Sequence, residues 1–225
     1  MLILQGRADT AEGDRRVTRD LVERAAETET PALRVWRPPG QVAFGRRDSN
    51  RGGYEQAVEH AREAGLTVIE RAVGGHAVVF TGTTVAFARA EPVDDARTGI
   101  QERYNRTTAA VENALGDLGV TVWEGEPEGS FCPGTHSLSA SGKIVGLAQR
   151  VKHDVATVAG IVVVRDHERI AAVLDPVYDS LSITFDSDAV GSVARAGGEA
   201  DPGTVITRLT DRLAGEPRTV ETVGQ

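Results

Sequence analysis

Two apolar periods alternate along this chain, and that alternation constrains its fold more than any other feature. A 3.6-residue period marks helices over Asp14 to Thr28, Tyr54 to Ala64 and Ile100 to Leu118. Gly65 and Gly119 follow the last two as C-terminal caps. Shorter helical stretches follow near His167 to Leu174 and at Thr204 to Leu213. Between them lie β-branched stretches of strand length: Leu33 to Trp36, Gln41 to Gly45, Thr67 to Arg71, Val120 to Trp123 and Ala156 to Val164. Pro38-Pro39-Gly40 forces a turn between the first two. Two hairpins are expected, one joining Ala77–Phe80 to Thr83–Ala88 through Thr81-Gly82, the other joining Ser137–Ala140 to Lys143–Val151 through Ser141-Gly142. Antiparallel hairpins interleaved with separate helices predict an α+β layered domain. With no internal repeat, residues 1–225 read as one domain. The connection from Asp186 to Asp201 is rich in Gly and Asp, and the stretch from Gly215 onward is expected to fray.

Charge and cysteine usage narrow the function classes. The net charge of −8 argues against a nucleic-acid partner, which needs a clustered basic face. No apolar run approaches the ~20 residues that cross a bilayer, and Met1 to Gln5 is neither basic nor long enough for a leader, so a cytoplasmic location is expected. A single cysteine, Cys132, has no partner for an internal disulfide and is expected to stay a free thiol in a reducing compartment. Lysine occurs only at 143 and 152. In a chain that otherwise uses arginine, Lys143 marks a position where a guanidinium does not serve.

Two stretches carry candidate chemistry. In Arg71-Ala72-Val73-Gly74-Gly75-His76-Ala77-Val78-Val79-Phe80, the paired glycines let backbone approach a ligand closely, or form a plain β-bulge. Arg71 suits a carboxylate or phosphate. His76 suits an acid, a base or a hydrogen-bond donor, and equally a structural histidine. In the second stretch, Cys132 stands in a polar loop, Gly125 to Thr135, where a free thiol is unusual. Pro133 is expected to hold Cys132 extended, and Gly134 to let the chain turn away. Lys143 follows 11 residues on, so a hairpin can return its ammonium to the loop, where positive charge favours the thiolate. An inert loop cysteine is the alternative. The five histidines show no metal-ligand spacing, no phosphate loop occurs, and Gly191-Ser192 lacks the surroundings of a hydrolase elbow.

These residues resemble the lipoate and biotin protein ligase superfamily. The glycine stretch is similar to its Arg-x-x-Gly-Gly-x-Ala-Val-Val signature, and Gly142-Lys143-Ile144-Val145-Gly146-Leu147-Ala148-Gln149 is similar to its lysine motif. Ser130-Phe131-Cys132-Pro133-Gly134 resembles the cysteine loop of octanoyl amidotransferases, which move an octanoyl group from the glycine cleavage H protein to lipoyl domains. The resemblance runs from about Leu33 to Val164. It implies a class II ligase-like catalytic domain, with mixed, mostly antiparallel sheets packed with helices.

The resemblance also implies roles. Cys132 would be the nucleophile and Lys143 would hold the acyl carbonyl and assist proton transfer. Arg71, Gly74, Gly75, His76, Ala77 and Val78 would line the acyl site, with Gly146 and Ala148 clearing the opposite wall. The acceptor would be a lysine of a lipoyl domain or H protein, with no metal or cofactor. Ala72 and His76 replace a second arginine and a third glycine of many ligases, and Phe80 replaces a histidine. These departures, and a chain end that leaves no room for a further C-terminal domain, favour transfer over ATP-driven ligation. A ligase using Mg-ATP, with Cys132 dispensable, and a non-catalytic binding subunit are the alternative readings. An acidic chain meeting a lipoyl domain needs a local positive patch, for which Arg46, Arg47, Arg51 and Arg150 are candidates.

Overall fold

The computed structural model describes residues 1–71, 75–152 and 154–223. Strand β1 (Leu2–Gln5) opens the chain, followed by helix α1 (Ala11–Thr28), strands β2 (Ala32–Trp36) and β3 (Gln41–Phe44), helix α2 (Tyr54–Glu63) and strand β4 (Thr67–Glu70). Strands β5 (Val78–Phe80) and β6 (Val85–Pro92) precede helix α3 (Ile100–Asp117). Next come β7 (Trp123–Glu124), β8 (Ser137–Ala140), β9 (Gly142–Lys152) and β10 (Val155–Val162). Helices α4 (His167–Ser180) and α5 (Pro202–Leu213) and strand β11 (Thr219–Thr222) close the chain. Among the described residues no helix is long and apolar enough to cross a membrane.

The strands form two sheets. The larger runs β11-β1-β2-β6-β10-β9-β8-β7, parallel across β11-β1-β2 and antiparallel beyond; the smaller runs β4-β3-β5. The expected α+β class and mostly antiparallel pairing are therefore what the chain adopts. Side-chain alternation along β6 shows how the layers are built. Val85 and Phe87 face one side, with Val111 and Leu115 of α3 and Val205 and Leu209 of α5. Ala88 and Ala90 face the other, with Leu21 and Ala25 of α1. Phe87 is fully buried, a side chain whose removal from water stabilises by about 1.5–3 kcal/mol. A third cluster joins the small sheet to α2 and α4 through Phe44, Val58, Val78, Leu174 and Tyr178, and takes in Ile161 at the end of β10 and Val163 just after it.

Helix α1 begins three residues before the expected Asp14, because Thr10 caps it by accepting the Gly13 N–H (3.0 Å). Asp14 is then buried within the first turn and pairs with fully buried Arg34 of β2. Arg34 also donates to the Asp14 carbonyl (3.0 Å) and the Gly6 carbonyl (3.2 Å), pinning α1 to both strands beneath it.

Four expectations need correction. β5 and β6 do not form a hairpin. Both edges of β6 are taken, by β2 (Ala86 opposite Trp36) and by β10 (Val85 opposite Val162), so β5 pairs instead with β3 (Val79 opposite Val42). The stretch after Gly215 does not simply fray. Thr219–Thr222 pairs parallel with β1, and Arg24 clasps Glu221 with two 2.7 Å hydrogen bonds. Its four residues are all exposed, so no apolar alternation announced it. The strand expected over Val120–Trp123 shrinks to Trp123–Glu124, since the Val120 N–H turns back to the Leu115 carbonyl (2.9 Å) and closes α3. Helix α4 runs through Pro176 to Ser180 rather than stopping at Leu174.

Candidate active site

The loop between β7 and β8, residues 125–136, is held from inside by one carboxylate. Glu126 Oε1 accepts the Gly134 N–H (2.9 Å), and Oε2 accepts the Ser137 hydroxyl (2.8 Å) and the Lys143 ammonium (2.6 Å). Lys143 enters from β9 and is 1% exposed. Its other protons go to the carbonyls of Phe131 (3.0 Å) and Cys132 (2.9 Å), and its Nζ stands 5.0 Å from the centre of the Phe131 ring. All three ammonium donors are thus engaged, and a buried charge is compensated both by an ion pair and by main-chain oxygens. The hairpin at Ser141-Gly142 returns the ammonium to the cysteine loop, as its position 11 residues on requires.

Cys132 is not extended, contrary to the expectation from Pro133. Its φ is +41°, a left-handed conformation that a non-glycine residue adopts only under constraint. The constraint comes from both sides of the residue. Its carbonyl is held by Lys143, and its N–H donates to the Tyr178 hydroxyl of α4 (2.7 Å). Tyr178 in turn donates to the Ala77 carbonyl (3.0 Å). Burial raises the Tyr178 phenol well above its ordinary range, and the neighbouring Cys132 adds to this, so the hydroxyl keeps the proton it donates.

The sulfur meets the glycine stretch. Cys132 Sγ lies 3.4 Å from the His76 N–H and 3.9 Å from Nη2 of Arg71, which also donates to the His76 carbonyl. Gly75 has φ +91°, and a Cβ there would stand 2.7 Å from Sγ. A Cβ on Gly45, at the end of β3, would lie 1.9 Å from the Gly75 carbonyl. The close approach of backbone expected of this stretch is therefore an approach to the thiol itself. A Gly75→Ala variant should lower the rate of Cys132 alkylation several-fold or destabilise the protein by about 1–3 kcal/mol. Thiol labelling together with thermal unfolding reads both, and unchanged values would contradict this packing.

Of the other expected residues, Ala77 and Val78 are buried, Ala77 contributing its carbonyl and Val78 belonging to β5. Gly74 lies outside the described residues. Gly146 flanks the Lys143 stem, where a Cβ would be 3.4 Å from Cε. Ala148, two residues along β9, is exposed and takes no part in the hydrogen bonds around the cysteine. Beside Arg71 opens a cleft of about 440 Å³, lined also by Arg15, Arg46, Ser49 and Glu70. Three guanidiniums against one carboxylate give it a positive wall. Arg46 thus joins the patch sought in the sequence. Arg51 instead donates to the Leu181 carbonyl (3.0 Å), and Arg47 and Arg150 are exposed away from this lining.

Three residues of this arrangement escaped the sequence reading. Glu126 sat in an aperiodic loop. Tyr178 lay beyond Leu174, where the expected helical stretch ended. Asp48, in the short 3-10 turn Asp48–Asn50, is fully buried and accepts the Gly45 N–H (2.9 Å) and the His76 ring Nδ1 (2.7 Å). A local signal for Asp48 did exist: an Asp three residues after a glycine, poised to accept that glycine's N–H.

Known proteins share both sequence and fold with this chain. Residues 15–212 match the family model described as lipoyl protein ligase A/B catalytic domain. An octanoyl-GcvH:protein N-octanoyltransferase of Geobacillus kaustophilus is 30% identical over 119 residues, 52% of this chain and 42% of that protein. One of Kyrpidia tusciae is 32% identical over 147 residues, 64% of this chain and 50% of that protein. The chain thus spans about half the length of the curated relatives it matches. Among solved structures, lipoate-protein ligase A bound with ATP has a TM-score of 0.70 at 20% identity, covering 97% of this chain and 89% of that one. A chain from the structure of a bi-partite lipoate protein ligase and its E2 lipoyl domain, from Thermoplasma acidophilum, has a TM-score of 0.61 at 17% identity, with 98% and 87% covered. At these identities the likeness is one of fold.

Proposed function

The chain belongs to the lipoyl protein ligase A/B catalytic-domain family, and on that premise we propose that it transfers an octanoyl or lipoyl group through a thioester on Cys132. The acceptor is the ε-amine of a lysine on a lipoyl domain or glycine cleavage H protein. Residues 1–225 act as one catalytic domain, with the motif-bearing core over residues 33–164. The observation that carries this reading is the strained cysteine. A left-handed Cys132, fixed through its N–H and its carbonyl and with its sulfur beside a guanidinium and a main-chain N–H, is what a presented nucleophile needs. The relatives named as octanoyltransferases support the choice of acyl group and acceptor.

The geometry supports a sequence of roles. The thiolate adds to the carbonyl of the acyl donor, and negative charge develops on the former carbonyl oxygen. Lys143 supplies the nearest buried ammonium to that centre, and stabilising the oxyanion means letting go of one main-chain carbonyl. Arg71, Gly75 and the His76 N–H bound the sulfur on its other side. Breakdown of the adduct leaves an acyl-thioester, which the incoming lysine amine then attacks to give a stable amide. No ATP enters this route. The positive cleft beside Arg71 suits the acidic face of an acceptor domain. In this reading the protein works in the cytoplasm, where reducing conditions keep the sulfur free.

One observation favours a second reading. The same cleft, with Arg15, Arg46 and Arg71, also suits the phosphate of an acyl-adenylate, which an ATP-driven ligase would form with magnesium. Incubating the protein with octanoylated H protein and an apo lipoyl domain separates the two. Transfer in the absence of ATP is expected. Labelling only from free octanoate or lipoate with Mg-ATP would overturn the transferase reading.

A further inference from the structure

Gly75 leaves a small gap at the sulfur. A Cβ built there would stand 2.7 Å from Cys132 Sγ and 3.7 Å from Arg71 Nη2, and, its chain neighbours aside, no other atom of the described residues would lie within 4 Å. The φ of +91° keeps that place closed to an L side chain. Two donors border it. The next main-chain N–H, that of His76, reaches Sγ at 3.4 Å, and Arg71 Nη2 lies 3.9 Å from the same atom. The guanidinium is set before any substrate arrives, because Nη2 also donates to the His76 carbonyl. It has donor capacity to spare: Arg71 Nε, which shares one edge of the planar fork with Nη2, is buried and has no partner among the described residues. A buried N–H of this kind calls for an acceptor from outside the chain.

The sulfur decides which acceptor fits. When Cys132 attacks a carbonyl, the oxygen that takes up the charge is two bonds from Sγ. An atom so joined stands about as far from the sulfur as the missing Cβ would. We propose that the gap at Gly75 is the oxyanion hole of the acyl transfer, with the His76 N–H and the Arg71 guanidinium as its donors. This rests on the reading of Cys132 as the acyl carrier. The thiolate adds to the carbonyl carbon of the acylated lysine, and as the C–S bond forms, an electron pair of the C=O bond moves to the oxygen. Charge then develops where two preset donors already stand, so little has to move. The pair returns, the C–N bond breaks, and the proton lost from the thiol ends on the leaving nitrogen, giving a neutral amine. When the acceptor lysine attacks the thioester, the same oxygen takes up charge in the same place. This time the C–S bond breaks and the proton of the amine passes to the sulfur. Lys143 adds its ammonium to the hold on the oxygen by releasing a main-chain carbonyl, and it remains the group that moves protons in both halves.

Two reagents for the same sulfur test this. Acylation of Cys132 by p-nitrophenyl octanoate passes through an oxyanion, whereas alkylation by iodoacetamide is a direct displacement and has none. Both rates are measured at about pH 9.5, where an ordinary thiol is already ionised, so lost help in forming the thiolate weighs on neither. Arg71→Met should slow acylation on the order of a hundredfold and leave alkylation within about twofold of wild type. Acylation within about threefold of wild type would overturn the proposal. So would an equal slowing of both reactions, which marks a displaced or screened sulfur rather than an unsupported oxyanion. The wild type alone gives a second measurement, which decides the matter if the variant does not fold. Its octanoyl thioester, formed with an isotope-labelled carbonyl, should show the C=O stretch at lower frequency than the same thioester in the unfolded protein, because two donors polarise the bond. An unshifted band would overturn the proposal. A wild type acylated by the ester in this Arg71-dependent way, yet taking no octanoyl group from octanoylated H protein, would instead overturn the transferase reading.

Discussion

Cys132→Ala is expected to lose at least about a thousandfold in acyl transfer while keeping its fold, because it removes the only atom to which the acyl group can be joined on the proposed route. The side chain is small, and alanine meets the same backbone constraint at φ +41°, so unfolding free energy should move by no more than about 1 kcal/mol. Intact-mass spectrometry after exposure to octanoylated H protein should find one acyl adduct on the wild type and none on the variant. The combination is what discriminates. Transfer that survives the substitution would mean that the sulfur is a bystander, and unfolding would mean that the lost activity says nothing about chemistry.

Lys143→Met is expected to give the largest loss of stability of any single change around the cysteine. Methionine matches the length of the lysine stem and keeps much of its apolar packing, so the change isolates the charge. Glu126, 15% exposed, would be left without its cation, and the Phe131 and Cys132 carbonyls without a donor. Breaking a buried pair from one side costs about 3–5 kcal/mol; the partial exposure of Glu126 places this one toward the lower figure. For a chain of this size that corresponds to a fall in Tm of roughly 6–12 °C. Adding Glu126→Gln should recover part of it, because the orphaned charge is then gone while the amide still accepts from Ser137 or Gly134. A single variant as stable as the wild type would show that the ammonium does not tie the loop. A double variant less stable than the single one would show that Glu126 is not the charge left behind.

What could be read from the sequence was what is local in the chain. The second hairpin is marked by Ser141-Gly142 between two apolar runs, and once it forms, β9 has no choice but to carry Lys143 back to residue 132. Helices α2, α3 and α5 were legible because each has an apolar face of its own. Pairing was harder, since whether β5 meets β6 depends on strands that arrive from elsewhere to occupy both edges of β6. β11 is held by main-chain pairing and one ion pair, neither of which leaves an apolar trace. Within the site, the sulfur, the ammonium and the glycine at 75 were readable as unusual residues in unusual places. The φ of Cys132 was not. Pro133 argues for an extended backbone, and it is outweighed by a hydrogen bond from Lys143 to the Cys132 carbonyl and one from the Cys132 N–H to Tyr178, residues 11 and 46 positions away in the chain. Glu126 is hidden for a similar reason: a carboxylate in an aperiodic loop looks solvated until the fold closes over it.

The Tyr178 hydroxyl joins two main chains that flank the sulfur, taking the Cys132 amide and giving to the Ala77 carbonyl. A helix of the small-sheet layer is therefore the keystone of the thiol's posture, and a peptide cut out to hold residues 125–136 alone would relax into an ordinary, poorly aimed cysteine. The reagent that counts this sulfur then also takes the temperature of the distant helix: any slackening of its far turn, even one that leaves the cysteine loop intact, surfaces as a change in how readily the thiol is struck.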